Sequence, residues 1–346
     1  MLGNLLSLSN EDQEILEIPE TIRVSVGSAI VLNLTHGRLD VLPTTAYLLT
    51  YRSGKCSANC GFCPQAKTSK SRADMLSRVT WPAFPTERAL SEIEDSVKRG
   101  TIKRVCIQAL NYPTVLEDIL NLVNAIRLRV RVPISVSCKP LKPTEIQKLM
   151  EAGVNRIGIP LDAATKELFN KVKGLMAGGP YLWEEQREAL REAVKIFGKN
   201  RVSTHLIVGL GETEKEMVET IQWCVDSDVY PGLFAFTPVS GTALENQPQP
   251  SLSQYRRVQL AHYLVTKKLV RCENISSNES GCLTDFSVRT EQLWKVIRDG
   301  SPFVTSGCPD CNRPYYNERP SGPLYNYPRH PLPREITKIE KQFFLR

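Results

Sequence analysis

Between Thr45 and Val270 short apolar segments alternate with amphipathic helical ones about six times, and this regularity limits the fold more than any other feature of the chain. The apolar segments are Thr45–Tyr51, Arg104–Ala109, Pro133–Ser137, Arg156–Ile159, Val202–Val208 and Gly232–Phe236. Helical periodicity predicts Thr86–Arg99, Val115–Arg127, Thr144–Ala152 (Thr144 as N-cap), Ala164–Val172, Tyr181–Phe197, Glu214–Asp226 and Leu252–Val270. In the second of these, Leu116, Ile119, Leu120, Val123 and Ile126 share one face. Strands apolar on both faces and separated by helices form parallel sheets covered on both sides. Six such units predict an α/β fold, a partial (β/α)6 TIM-type barrel with its chemistry at the C-terminal strand ends. A doubly wound open sheet is the alternative.

Three parts follow from this pattern: a lead-in over 1–44, the barrel over 45–270 and a cysteine-bearing extension over 271–346. The lead-in shows a short helical stretch at Glu11–Leu16 and a β-rich stretch at Val24–Leu34. In the extension one more helix is expected at Glu291–Asp299. Beyond it the residues are too rich in proline for a helix or central strand, yet too aromatic for a disordered tail. They read as an ordered cap over one barrel mouth.

The first strand runs into Tyr51-Arg-Ser-Gly-Lys-Cys56-Ser-Ala-Asn-Cys60-Gly-Phe62-Cys63, a C-x3-C-x2-C loop. Three thiolates on one short loop can hold three irons of a 4Fe–4S cubane and leave the fourth open to a small-molecule ligand. A structural zinc site would want a fourth ligand close by, and no cysteine or histidine follows within forty residues of Cys63.

The chain has ten cysteines, and tight spacings without an export signal favour metal over disulfides. Cys272, Cys282, Cys308 and Cys311 supply four further thiolates, enough for an auxiliary 4Fe–4S cluster or a structural zinc ion. Cys106, Cys138 and Cys224 are scattered, the last on a helix as a small core residue. The net charge of +7 over 346 residues permits an anionic partner without identifying one. With no separate RNA-binding module and no basic–aromatic interleaving, no nucleic acid is expected. No apolar run approaches the ~20 residues of a membrane span, and the acidic first twenty residues do not read as a signal peptide. The expected location is cytoplasmic.

The Cys56/Cys60/Cys63 loop, with its aromatic residue before the last cysteine, resembles the cluster loop of the radical S-adenosylmethionine (SAM) superfamily. Within it, RVCIQAL, LDAATKELF, HLIVGLGET and FTPVSGTALE resemble successive strand regions of biotin synthase. The resemblance implies that Cys56, Cys60 and Cys63 ligate the cluster and that Asp162 accepts hydrogen bonds from the SAM ribose. It further implies SAM contacts at Phe62, at Gln108 for the methionine amino group, and at Ile207 and Val208 for the adenine. Biotin synthase also holds a sulfur-donating cluster on three barrel cysteines and an arginine. Here Cys106 fits the first of those positions, whereas Ser135 and Ser203 stand at the other two. Cys138, three residues on, would face the opposite side of the strand.

A biotin-synthase-like barrel ending in SGCPDCNRPYYNERPSGPLYNYPR resembles the two-component lipoyl synthase of archaea and some bacteria. That resemblance implies thiolation of an octanoyl chain on a carrier protein by a 5′-deoxyadenosyl radical, with sulfur from the auxiliary cluster. It also implies a second related radical protein and an electron donor such as ferredoxin or flavodoxin. Arg313, Tyr315, Tyr316 and Arg319 would shape the acyl channel or pack the tail, and His205 would line the cavity or serve structurally. Biotin synthase itself is the alternative function.

Overall fold

The computed structural model describes residues 17–318 and 321–344. The helical stretch expected at Glu11–Leu16 and the candidate Arg319 lie outside the described residues.

The lead-in forms strand β1 (Thr21–Val24) and helix α1 (Val26–Val31) rather than one β-rich stretch. The reason is a cap: Ser25 Oγ accepts from the Ser28 backbone N–H, which starts a helix where Val and Ile alone favour strand. Next come β2 (Thr45–Thr50), the hairpin β3/β4 (Met75–Leu76, Val79–Thr80), β5 (Ala83–Pro85) and α2 (Thr86–Lys98). The repeating units follow as β6 (Arg104–Gln108), α3 (Val115–Arg129), β7 (Ile134–Ser137), α4 (Pro143–Glu151), β8 (Arg156–Gly158), α5 (Lys166–Val172) and α6 (Trp183–Phe197). They end with β9 (Val202–Val208), α7 (Glu214–Asp226), β10 (Tyr230–Ala235) and α8 (Leu252–Thr266). The extension holds the hairpin β11/β12 (Ser276–Ser277, Leu283–Asp285), α9 (Thr290–Asp299) and α10 (Pro333–Phe344). Helix α4 is capped by Lys142 with Pro143 opening it, so Thr144 is already helical.

One sheet has the order β10-β9-β8-β7-β6-β2-β1-β5. Its members from β2 to β10 pair in parallel, while β1 and β5 add antiparallel strands at one edge. This is the partial (β/α)6 barrel: six parallel strands, each wrapped back by helices, without closure of β10 onto β2. All six residues of β2 are buried, as a strand covered on both faces requires. In β9 burial alternates: Val202, Thr204, Leu206 and Val208 are buried, while Ser203, His205 and Ile207 between them line the interior cavity. On the outside, α3 buries Ile119, Leu122, Val123 and Ile126, each worth about 1.5–3 kcal/mol.

The open seam between β10 and β2 is filled by the extension. The Leu233 N–H donates to Ser306 Oγ (2.7 Å) and Thr237 Oγ1 donates to the Asn317 carbonyl (3.2 Å), fixing the strap to β10 and its exit. On the other side Thr45 Oγ1 donates to the Asp310 carbonyl (3.1 Å), and Arg104 Nε donates to the Pro309 carbonyl (2.9 Å). Residues 308–312 therefore sit at the N-terminal end of the barrel, opposite the end from which the Cys56–Cys63 loop leaves. Arg256, fully buried on α8, donates to the Leu324 and Tyr325 carbonyls and to Gln342 Oε1 (2.9 Å), locking the later part of the strap. Among the described residues, no helix is long and apolar enough to cross a membrane.

Candidate metal and cofactor centre

The three-cysteine loop has no regular structure, so its backbone groups find partners elsewhere. Cys56 N–H donates to the Gln65 carbonyl (2.8 Å), Ser57 N–H to Asn111 beyond β6 (2.8 Å), and Gly61 N–H to Val172 at the end of α5 (2.7 Å). Asn59 Nδ2 donates to the Ala177 carbonyl (2.6 Å), and Lys55 Nζ to the Pro64 carbonyl (2.6 Å). Gly241 completes the frame with φ +82°, its carbonyl accepting from Lys70 N–H (2.8 Å). The loop is thus tied to three barrel exits at once.

Cys56, Cys60 and Cys63 all line one cavity of about 260 Å³ that runs down the barrel interior. Two backbone N–H groups already point at Cys56 Sγ, from Asn111 (3.1 Å) and Ala58 (3.5 Å). Such donors favour a thiolate and, in a cluster, set its potential. Burial pushes the Cys60 thiol well up and Cys63 up to about 12, with the Lys173 ammonium opposing the shift at Cys60. Free thiols here stay protonated; iron ligation would deprotonate them. Among the described residues no three His, Cys, Asp or Glu side chains converge as one bound ion would demand. A cubane, which takes each thiolate on a separate iron, fits the spread loop better.

Of the expected SAM contacts, Phe62, Gln108, Asp162 and Ile207 line the same cavity. Val208 does not: strand parity turns it outward, fully buried under the helices. Asp162 sits just past β8 with φ +68°, its N–H donating to the His205 carbonyl (2.7 Å) and its carbonyl accepting from Ile207 N–H (2.8 Å). Its carboxylate takes a 2.6 Å bond from Lys173, and both side chains are under a tenth exposed. Lys173 also donates to the Pro160 carbonyl and stands over the Tyr181 ring at 5.1 Å. No sequence motif marked Lys173. His205 is half-buried beside Phe234, and desolvation pushes its pKa down to about 4, which keeps it neutral.

At the opposite end of the cavity the four extension cysteines separate. Cys308 and Cys311 line it; Cys272 and Cys282 do not. Cys272 lies on the outer side, its N–H held by Gln222 of α7 (3.0 Å), and Cys282 precedes Leu283, whose N–H donates to Glu214 of α7 (2.9 Å). The expected four-cysteine set is not brought together: Cys272, in the turn before β11, and Cys282, in the β11/β12 turn, are held against α7, away from the cavity that Cys308 and Cys311 line. Cys106 joins the cavity instead. Ser203 lines the cavity, while Ser135, in register with Cys106 and of the same strand parity as cavity-lining Ser137, is buried on the inner face. Strand β7 ends at Ser137, so parity no longer governs Cys138, which borders the cavity rather than facing away. Cys224 is buried in the core, on α7. Arg313 and Tyr316 line the cavity wall, with the guanidinium 3.9 Å from the Phe234 ring centre.

Six parallel strands, a three-cysteine loop leaving the first of them and a mostly apolar cavity beneath it make the layout that an iron–sulfur enzyme of the SAM-cleaving kind needs. Residues 50–224 match the model of the radical SAM superfamily, and the chain belongs to that superfamily. It is 26% identical to biotin synthase of Aquifex aeolicus over 207 residues, 58% of either chain. A longer match, also 26% identical, covers 78% of this chain and 79% of biotin synthase from Desulforudis audaxviator. The chain thus spans just under three fifths of the Aquifex relative's length. The methylornithine synthase structure overlays with TM-score 0.49 at 17% identity, over 69% of this chain and 66% of that one.

Proposed function

We propose that the chain inserts sulfur at an unactivated carbon, as one component of a two-protein lipoyl synthase acting on an octanoyl chain borne by a carrier protein. The carrying observation is that Cys308 and Cys311 face Cys56, Cys60 and Cys63 across one cavity. When bound, a 4Fe–4S cluster and SAM supply one 5′-deoxyadenosyl radical for each electron received, able to take hydrogen from an unactivated carbon.

The protein's part is to place and shield. Cys56, Cys60 and Cys63 would hold the cluster, with Asp162 positioned to accept from the ribose diol. Lys173 fixes the Asp162 carboxylate and adds a cation beside the loop. Phe62, Ile207 and Phe234 give the cavity apolar walls that keep water from the reacting carbon. A second, auxiliary 4Fe–4S cluster at the extension would donate the sulfur. A ferredoxin or flavodoxin as electron source and a second related radical protein complete the proposal.

Biotin synthase is the second reading, favoured by the 26% identity over most of the chain. Ser135 and Ser203 on the inner barrel face speak against it, since they leave that enzyme's donor site short of two thiols. Incubation with an octanoyl-lysyl peptide or with dethiobiotin, plus SAM and reductant, tests both readings by mass. A sulfur-sized gain on the peptide is expected; a gain on dethiobiotin alone would replace the first reading by the second.

A further inference from the structure

Two strands beside Cys106 reveal its company. Cys106 pairs in register with Tyr47 on β2 and with Ser135 on β7, so these three side chains stand at one level of the barrel interior. Each flanking residue touches one extension cysteine: Tyr47 Oη lies 3.3 Å from Cys311 Sγ, and Ser135 Oγ lies 3.5 Å from Cys308 Sγ. Cys106 therefore sits between the two neighbours of Cys308 and Cys311.

The surroundings are built for an anionic occupant. The Arg313 N–H donates to Tyr47 Oη (3.0 Å), and the phenol O–H is free to donate to Cys311 Sγ, a direction suited to a thiolate. Arg313 Nε is buried without a hydrogen-bond partner in a side chain that lines this cavity. The segment carrying the pair is strained: Asp310, Arg313 and Tyr315 all have positive φ, which non-glycine residues hold only when surroundings over-determine them. The turn closes through Cys311 N–H to the Cys308 carbonyl (3.0 Å).

We propose that Cys106, Cys308 and Cys311 together form one metal-binding set, joining a barrel strand to the extension, and that Cys272 and Cys282 take no part in it. The three thiols would hold an iron–sulfur cluster, one iron of which would lack a cysteine ligand. A single zinc ion would need the sulfurs near 2.3 Å from one point, a convergence absent among the described residues. The set also staples the strap into the barrel seam, so loading and strap docking are coupled. The inference deepens the sulfur-insertion reading but does not need it, because the test counts metal without substrate.

The test is anaerobic reconstitution with iron and sulfide of the full chain carrying Cys56→Ala, Cys60→Ala and Cys63→Ala, which removes the first site. About four irons and four sulfides per chain are expected to remain. Cys106→Ala or Cys106→Ser in that background should abolish them, and Cys272→Ala/Cys282→Ala should leave them intact. Alkylation mapped by mass on the reconstituted wild-type chain needs no variant and guards against misfolding. Cys106, Cys308 and Cys311 should be protected until a chelator strips the metal, while Cys272 and Cys282 react throughout. Iron retained without Cys106, iron lost with Cys272 and Cys282, no residual iron in the triple variant, or zinc in its place would each overturn the proposal. A loaded second cluster with no mass gain on the octanoyl peptide supports this set and sinks only the proposed function.

Discussion

Replacing Lys173 by Met tests the electrostatic heart of the cavity. Lys173 and Asp162 are 4% and 8% exposed and meet at 2.6 Å. A buried pair gains little over a well-packed apolar pair, but removing one partner strands a charge, at about 3–5 kcal/mol. The two single variants should differ. Lys173→Met leaves the Asp162 carboxylate without a cation and the Pro160 carbonyl without that donor. Asp162→Asn leaves the ammonium with the Pro160 carbonyl and the Tyr181 ring, and asparagine tolerates the φ of +68° at that position. The expected losses are therefore about 3–5 kcal/mol for Lys173→Met and about 1–3 kcal/mol for Asp162→Asn. The double variant should recover to within about 2 kcal/mol of the native chain.

Urea unfolding of the native, single-variant and double-variant chains, followed by circular dichroism, closes the cycle. A coupling energy near zero, with Lys173→Met costing under about 1 kcal/mol, would refute the pairing as the organiser of this end of the cavity.

Three further outcomes follow from the same physics. His262 is buried with Nε2 2.7 Å from the Pro231 carbonyl, and burial lowers its pKa to about 4, as it does for His205. Both folded values lie below the unfolded one near 6.5, so the unfolded chain binds more protons between these limits. Stability is then full above pH 6.5 and falls as pH drops toward 4, by up to about 3 kcal/mol for each histidine. His262→Gln should flatten the pH dependence of the urea midpoint; an unchanged slope would count against it. Gly241→Ala would set a Cβ 2.4 Å from the Ser71 backbone nitrogen at φ +82°. That should cost about 2–4 kcal/mol and loosen the cluster loop, read as faster alkylation of Cys60 and Cys63. Arg256→Met removes the donors that hold the Leu324 and Tyr325 carbonyls. Limited proteolysis should then cut the strap between residues 305 and 330 at concentrations the native chain resists, and equal resistance would show that the strap does not depend on Arg256.

What could be read from the sequence was local. The six parallel strands declared themselves because short apolar segments alternate with amphipathic helical ones, and β9 occupies the span its periodicity predicts. The antiparallel strands β1 and β5 were hidden, since three or four residues at a sheet edge carry no period of their own. Helix α10 was missed for a related reason: Pro333 opens it at N1, where proline is harmless, inside a segment whose other prolines exclude helix. Lys173 had no motif to announce it, because its partner lies eleven residues back across a loop and only the fold makes them touch.

The cysteines show where local reading fails in kind. Cys56, Cys60 and Cys63 share one loop, so spacing alone implies proximity, and the fold places all three on one cavity. Cys308 and Cys311 share a turn, and the same inference holds. For Cys272 and Cys282 spacing offered a count of thiolates without a location, and the turn before β11 and the β11/β12 turn hold them against α7. Cys106 is some two hundred residues from the pair it meets, and its position follows from strand parity together with a strap filling an unclosed seam. The missing closure is thus what gives the Cys308/Cys311 pair its place on the cavity. A complete barrel would seal the path by which Cys308 and Cys311 reach the interior, whereas six strands leave a gap one extended segment wide. The strap that fills it carries thiols to the N-terminal end of the cavity, and the first strand's exit loop carries its own to the other end.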